Sequence, residues 1–267
     1  MLVPLAGALR AFLALVAALA MTATSSAPGT APRASITSSG ASASARTTTS
    51  AGRSAVSSTA APASSATTLG PVVRGQATHY GPAAPGGNCM FPTVPADKLT
   101  VAAGPDLYAG AAGCGGYLTV TSGRRTIRVK IDNQCPECGH GHIDLSDEAF
   151  AALAPLGRGL IPITYRIVTN PRLSRGLSFV VKSGSSRYWL ALLVDNTGNR
   201  LRSVEVQTSG AWRALSRADY GYWVADSGVG SGPFVVRITD VAGHRAVVGG
   251  IRLTPGAIQQ TAARLYH

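Results

Sequence analysis

Two aspartates, Asp132 and Asp144, carry the chemistry most visible in this chain. Each sits in a short alternating run, Val129-Lys130-Ile131-Asp132 and Ile143-Asp144-Leu145. A strand sends successive side chains to opposite faces, so in each run the apolar residues share one face and the aspartate stands on the other. Two carboxylates turned away from a core can meet in one cleft. There they suit acid–base work or strong hydrogen bonding to a polyhydroxylated ligand. Between them lies Cys135-Pro136-Glu137-Cys138, followed by His140 and His142.

That cluster has the donors for zinc, but its Cys and His pairs are far closer together than the dozen or so residues usual in a zinc finger. All four cysteines, Cys89, Cys114, Cys135 and Cys138, lie between residues 71 and 168. An even count in an exported chain reads as two disulfides, for which three pairings exist. Export is suggested by Arg10 followed by the apolar run 11–20 and small residues, the pattern of a secretory signal. The run is short for a bilayer span, so no stable membrane insertion is expected. Residues 27–70 are almost entirely Ser, Thr, Ala, Gly and Pro with scattered Arg. Such a stretch buries too little apolar surface to offset its ordering entropy and reads as a disordered linker.

The elements that must position the aspartates follow from periodicity. Short β runs separated by Gly/Pro turns are predicted at 74–80, 100–103, 117–121, 126–131 and 163–168. One helix is marked by Ser146 as cap, Asp147 and Glu148 in its first turn, and the stripe Phe150, Leu153 and Ala154, with Pro155 and Gly157 ending it. After Asn170-Pro171 the texture becomes purely β, with runs at 177–182, 188–195, 203–208, 212–215, 222–225, 234–239 and 246–253. Seven short strands in about 100 residues suggest a sandwich. The net charge of +12 is uneven: residues 169–267 hold twelve Lys and Arg against five Asp and Glu. A basic exported module favours anionic polymers such as pectin or teichoic acid, or anionic lipid heads, unless the charge serves only solubility. No nucleic-acid-binding motif accompanies it.

Several motifs in order resemble the microbial expansins. They are Gly75-Gln76-Ala77-Thr78-His79-Tyr80-Gly81, Gly87-Asn88-Cys89, the Ala112–Gly116 run, and Asp132…Cys135-Pro136-Glu137-Cys138…Asp144-Leu145-Ser146. In the second half they are Lys182 to Trp189, Asp219-Tyr220 and Trp223-Val224. The resemblance implies a mainly β protein: a six-stranded double-psi β-barrel followed by an immunoglobulin-like, cellulose-binding β-sandwich. The expected division is a signal peptide at 1–26, a linker at 27–70, the barrel at 71–168, the sandwich at 169–258 and a tail at 259–267.

It also implies a secreted, monomeric protein that loosens cell walls without hydrolysis and needs no cofactor or metal. Its partners would be cellulose, xyloglucan-coated cellulose or another wall polysaccharide, including acidic ones. Thr78, Asp132 and Asp144 would line the barrel groove, with Asp144 the most needed. Tyr188, Trp189 and Tyr220 would form an aromatic platform with Lys182 beside it, and Tyr80 would add a contact. The favoured disulfides are Cys89–Cys114 and Cys135–Cys138. Tyr188 and Trp189, being adjacent, can both reach a ligand only if their strand begins irregularly. Trp212, among turn and polar residues, reads as sandwich core.

Two departures stand out. Gln134-Cys135 occupies the place where the family often has a tyrosine, so a sugar contact there is lost or supplied by His140 or His142. Tyr188 stands where many members have tryptophan. The rival readings are a glycosidase or lytic transglycosylase with Asp144 as general acid, and a wall-binding effector without loosening activity. Related endoglucanases carry a catalytic aspartate in the first strand motif, where Gln76 to Gly81 here hold no carboxylate, which leaves Asp132 as the substitute base or as a partner orienting Asp144.

Overall fold

The computed structural model describes residues 65–267, so the expected signal peptide and nearly all of the linker lie outside the described residues. The first half forms seven strands: β1 (Thr68–Leu69), β2 (Val73–Gly81), β3 (Thr100–Ala103), β4 (Tyr117–Ser122), β5 (Arg125–Gln134), β6 (His142–Ser146) and β7 (Ile161–Thr169). They hydrogen-bond in the order β1-β7-β2-β6-β3-β5-β4, and β4 also pairs with β7. Strands β2 to β7 therefore close into a six-stranded barrel, with β1 added beside β7. The β2–β6 and β3–β5 pairs are parallel and the other pairings antiparallel, as a double-psi barrel requires.

Alternation is clean where one face meets the barrel core. In β6, Ile143 and Leu145 are fully buried while His142 and Asp144 are half-exposed. The chain crossing at β2 depends on glycine. A Cβ on Gly75 would stand 1.7 Å from the carbonyl oxygen of Gly141, so a larger residue cannot enter without moving backbone. Helix α2 (Asp147–Leu153) follows β6 directly; α1 (Pro105–Tyr108) is a single turn that sequence periodicity does not show. Ser146 caps α2 by accepting from the Ala149 N–H, and Phe150 and Leu153 bury its inner face.

Residues 170–177 lead into the sandwich. Its strands are β8 (Ser178–Val181), β9 (Leu190–Asp195), β10 (Leu201–Thr208), β11 (Ala211–Ala214), β12 (Ser216–Arg217), β13 (Trp223–Ala225), β14 (Phe234–Asp240), β15 (Arg245–Ile251) and β16 (Ile258–Gln260). One sheet has the order β11-β10-β14-β15 and the other β12-β13-β9-β8-β16. The segment expected as a C-terminal tail is part of the fold. Its residues Gln259 and Gln260 continue the pairing of Ile258 with β8, and Leu265 is buried in the sandwich core, because the otherwise unpaired edge of β8 and its apolar neighbours need a cover.

Strand β9 explains how the two halves are joined. All six of its residues are buried. Leu190, Leu192 and Val194 face the sandwich core, whereas Ala191 and Leu193 join a cluster with barrel residues such as Ala77, Val101 and Ile131. A strand buried on both faces reads as a continuous apolar run, and Leu190-Ala191-Leu192-Leu193-Val194 is one. Beneath the same junction, Lys130 Nζ meets Asp195 Oδ1 at 2.5 Å, both side chains being only 4% exposed. The Lys130 ammonium also lies 3.8 Å from the centre of the Phe91 ring.

Trp212 does not lie in the core. It is half-exposed on β11, and the Arg237 guanidinium covers its ring at 4.3 Å while pairing through two N–H groups with Glu205. An edge strand gives its side chains little to pack beneath, and a cation–π contact supplies the cover instead.

Candidate functional site

The residues expected to line a groove on the barrel stand on β2, β3, β5 and β6. Thr78 and Asp144 are register partners across the parallel β2–β6 pair. The Thr78 hydroxyl donates to Asp144 Oδ1 at 2.5 Å. His142 Nε2 lies 3.0 Å from the same hydroxyl oxygen. Because threonine has one hydroxyl proton and it is directed at Asp144, the imidazole is the donor in that second bond. The result is a His142–Thr78–Asp144 chain along one wall. The sequence nominates His142 as a zinc donor or as a substitute for a missing tyrosine; standing two residues before Asp144 on a strand places it on the same face, and that spacing is the available signal.

Asp132 is held differently. The β3–β5 ladder pairs Val101 with Ile131 and then Ala102 with Asn133, leaving Asp132 as the extra residue of a bulge. The simple alternation expected for this run therefore breaks at the aspartate. Its side chain is not openly presented: the residue is 6% exposed, and its Oδ1 is shielded from solvent without a hydrogen-bond partner. Burial pushes its carboxyl up to about 7, against lowering by a hydrogen bond from Thr100 and by the Lys130 charge. Thr100 also meets Tyr80, whose phenol lies 2.7 Å from the Thr100 hydroxyl. The Tyr80 phenol is raised by burial first and then by the charges of Asp132 and Asp144, so the tyrosine stands near both carboxylates while remaining 39% exposed.

Both cysteine pairs are joined as favoured, Cys89 to Cys114 and Cys135 to Cys138. The latter closes the loop between β5 and β6. Its thiols are consumed by the bond, His140 turns to Asp106 at 3.0 Å, and His142 is engaged with Thr78.

On the sandwich, residues 186–189 form a tight turn in which the Ser186 N–H donates to the Trp189 carbonyl and the Trp189 N–H to the Ser186 carbonyl. The regular strand β9 begins only at Leu190. This irregular start lets the adjacent Tyr188 and Trp189 escape strict alternation. Tyr188 is 68% exposed with the Arg187 guanidinium 4.7 Å from its ring, whereas Trp189 is half-buried against the cluster shared with the barrel. Tyr220 packs on the same cluster, its ring 6.0 Å from that of buried Tyr222, and Lys182 Nζ lies 5.9 Å from the Tyr222 ring.

Tyr220 is fixed to the barrel through its neighbours. The Asp219 carbonyl accepts from the Tyr108 hydroxyl at 2.5 Å and from the Asn88 amide at 3.2 Å. The same Asn88 amide donates to Gln134 Oε1 at 3.0 Å. On the other side, Gly221 has a φ of +85°, and a Cβ there would come within 2.7 Å of the Cys89 carbonyl. Asn88, Tyr108 and Gln134 thus form the seam between groove and aromatic residues. Sequence reasoning did not assign them this role, because nothing local marks a contact across some 130 residues.

These features define a two-domain β protein with a polar side-chain cluster on the barrel and, on the sandwich, aromatic residues whose loop is bonded to the barrel. A family model described as lytic transglycolase matches residues 100–165, and one described as the expansin C-terminal domain matches residues 177–250. Expansin-YoaJ of Bacillus subtilis is 33% identical over 173 residues, covering 63% of this chain and 74% of that protein. Expansin-like protein 5 of Dictyostelium discoideum is 28% identical over 185 residues, covering 65% and 77%. A mutant Clavibacter michiganensis expansin, solved in complex with cellohexaose, is 44% identical with a TM-score of 0.70, covering 73% of this chain and 98% of that one. The chain belongs to the expansin family, alongside its microbial members.

Proposed function

We propose that the protein is exported, binds cellulose or a related wall polysaccharide, and loosens the wall without cutting it. The observation that carries this reading is the Thr78–Asp144 bond beside Tyr80, set next to aromatic residues that the Asn88–Tyr108–Asp219 seam holds in place. A similar chain has been solved with cellohexaose bound. In this role the groove gives hydrogen-bonding partners for sugar hydroxyls, and Tyr188, Trp189 and Tyr220 give rings for the apolar C–H faces. Each stacked ring would contribute on the order of 1 kcal/mol. Two disulfides fit an oxidising compartment outside the cell.

Hydrolysis is the weaker reading. An inverting glycosidase needs a second carboxylate free to activate water roughly 6.5–9.5 Å from the acid. Strand β2 offers Thr78 opposite Asp144 and no carboxylate. Asp132 has one oxygen sealed from solvent, and a bond from Thr100 bears on the carboxyl. The test is creep of a heat-inactivated plant wall strip under constant load, with reducing-sugar release assayed in parallel. Extension by the native chain without sugar release, absent in Asp144→Asn, is the expected result. Sugar release that disappears in Asp144→Asn would replace loosening by hydrolysis, and no extension at all would leave a binding module.

A further inference from the structure

A second cleft opens between barrel and sandwich, of about 540 Å³. This lies within the range of roughly 300–1,000 Å³ typical of ligand sites. Arg128 of β5 and Arg172 and Arg175 of the connecting segment line it. All three are exposed, and among the described residues none pairs with a carboxylate. Two aspartates also line the cleft, but the charge of Asp195 is spent on Lys130, which leaves Asp97 alone against three guanidinium groups.

The arginines stand on a fixed support. The Arg264 guanidinium donates to the carbonyls of Leu173 at 2.7 Å, Ser174 at 3.0 Å and Arg175 at 3.3 Å, tying the connecting segment to the segment that follows β16. The cleft is also lined by the hydrogen-bonding groups of Thr93, Ser174 and Asn196 and by the apolar side chains of Leu99 and Leu173. A guanidinium fork matches a carboxylate through two parallel N–H···O bonds. Cations, hydroxyl partners and an apolar ledge together fit a sugar ring bearing a carboxylate better than a bare anion.

The cleft is also separate from the groove and platform. At about 3.3 Å per residue, β9 carries the chain some 17 Å from the aromatic end at Leu190 to Asp195, and β5 separates Arg128 from Asp132 by about 13 Å. We propose that this cleft binds a uronate unit of an acidic wall polysaccharide, leaving the groove and platform free for a neutral glucan.

Trigalacturonate binding to the full chain, followed by calorimetry at low and moderate salt, tests this. The triple variant Arg128→Gln, Arg172→Gln, Arg175→Gln is compared with a control of equal charge loss, Arg74→Gln, Arg124→Gln, Arg252→Gln. The control residues are exposed and lie outside the cleft lining. A loss of affinity of about tenfold or more in the cleft variant, against twofold or less in the control, is the expected result. Equal losses would mean diffuse surface charge, and absence of binding to the native chain would mean no site; either overturns the proposal. A cleft-dependent loss for poly(glycerol phosphate) without binding of trigalacturonate overturns the uronate assignment. Thermal melting of both variants reports whether they fold. Binding to cellulose stays unchanged in the cleft variant, so failure of the aromatic-platform reading shows in that assay and not in this one.

Discussion

Asp132 and Asp144 have the same side chain and flank the same strand, β3, yet the fold assigns them opposite environments. Asp144 is half-exposed and accepts the Thr78 proton, whereas Asp132 is buried in a bulge with its carboxyl raised to about 7. The ordinary value is 3.8, so between about pH 4 and about pH 7 the folded chain holds a proton that the unfolded chain has lost. Stability therefore falls as pH rises through that window, by on the order of a few kcal/mol, and levels off above it. Asp132→Asn removes this dependence: its melting temperature equals that of the native chain near pH 4 and exceeds it by several degrees at pH 8. An unchanged pH slope would remove Asp132 as the source. For Tyr188, a loss of about 1 kcal/mol predicts that Tyr188→Ala binds cellulose about fivefold more weakly in a depletion assay with little change in melting temperature, because the ring is exposed. The types and alternation of residues 129–132 and 143–145 were enough to nominate both aspartates. They did not show that an extra residue sits at Asp132, since a bulge is set by how β3 pairs with β5 and leaves no mark in either strand alone.

At the scale of elements, the sequence was informative where local chemistry decides. Ser146, Asp147 and Glu148 announce α2, and Gly184-Ser185-Ser186 announces the irregular turn that frees Tyr188 and Trp189. Strands β1, β12 and β16 have two or three residues each and exist because a neighbouring edge accepts them, so periodicity had too little length to reveal them. Trp212 differs from expectation for a related reason: hydrophobicity argues for burial, but an edge strand offers an Arg237 cover rather than a core. The crossing of Gly75 over Gly141 carries a sharp prediction. Gly75→Ala places a methyl 1.7 Å from a carbonyl oxygen in the barrel seam, and the cost exceeds about 2 kcal/mol in urea unfolding. A cost near zero would mean that the crossing is looser than described.

Across the whole molecule, the barrel and sandwich share a buried cluster and a buried ion pair. Removing one partner of such a pair leaves the other uncompensated, at roughly 3–5 kcal/mol. Lys130→Met is therefore expected to lower the urea midpoint markedly, and Lys130→Met with Asp195→Leu to recover much of the loss, because the second change removes the stranded charge. Failure of the double variant to recover would assign the cost to the Phe91 contact or to the Asn196 N–H, which also donates to Asp195. That Lys130 would serve as a bolt between domains was hidden in the sequence, where it reads as a polar residue on the face of Asp132.

The shared cluster around Ala191 and Leu193 has a mechanical consequence for the proposed role. Parting two adhering polymer chains takes work, and a machine with a hinge could deliver it as a stroke. Among the described residues, the domains are linked through residues 170–177, and strand β9 is embedded in both cores, so a hinge there would have to break the shared cluster. It would act instead as a wedge of fixed shape, occupying gaps that thermal breathing and wall tension open and preventing their closure. Its rate would then follow the load on the wall, with no fuel consumed at any step.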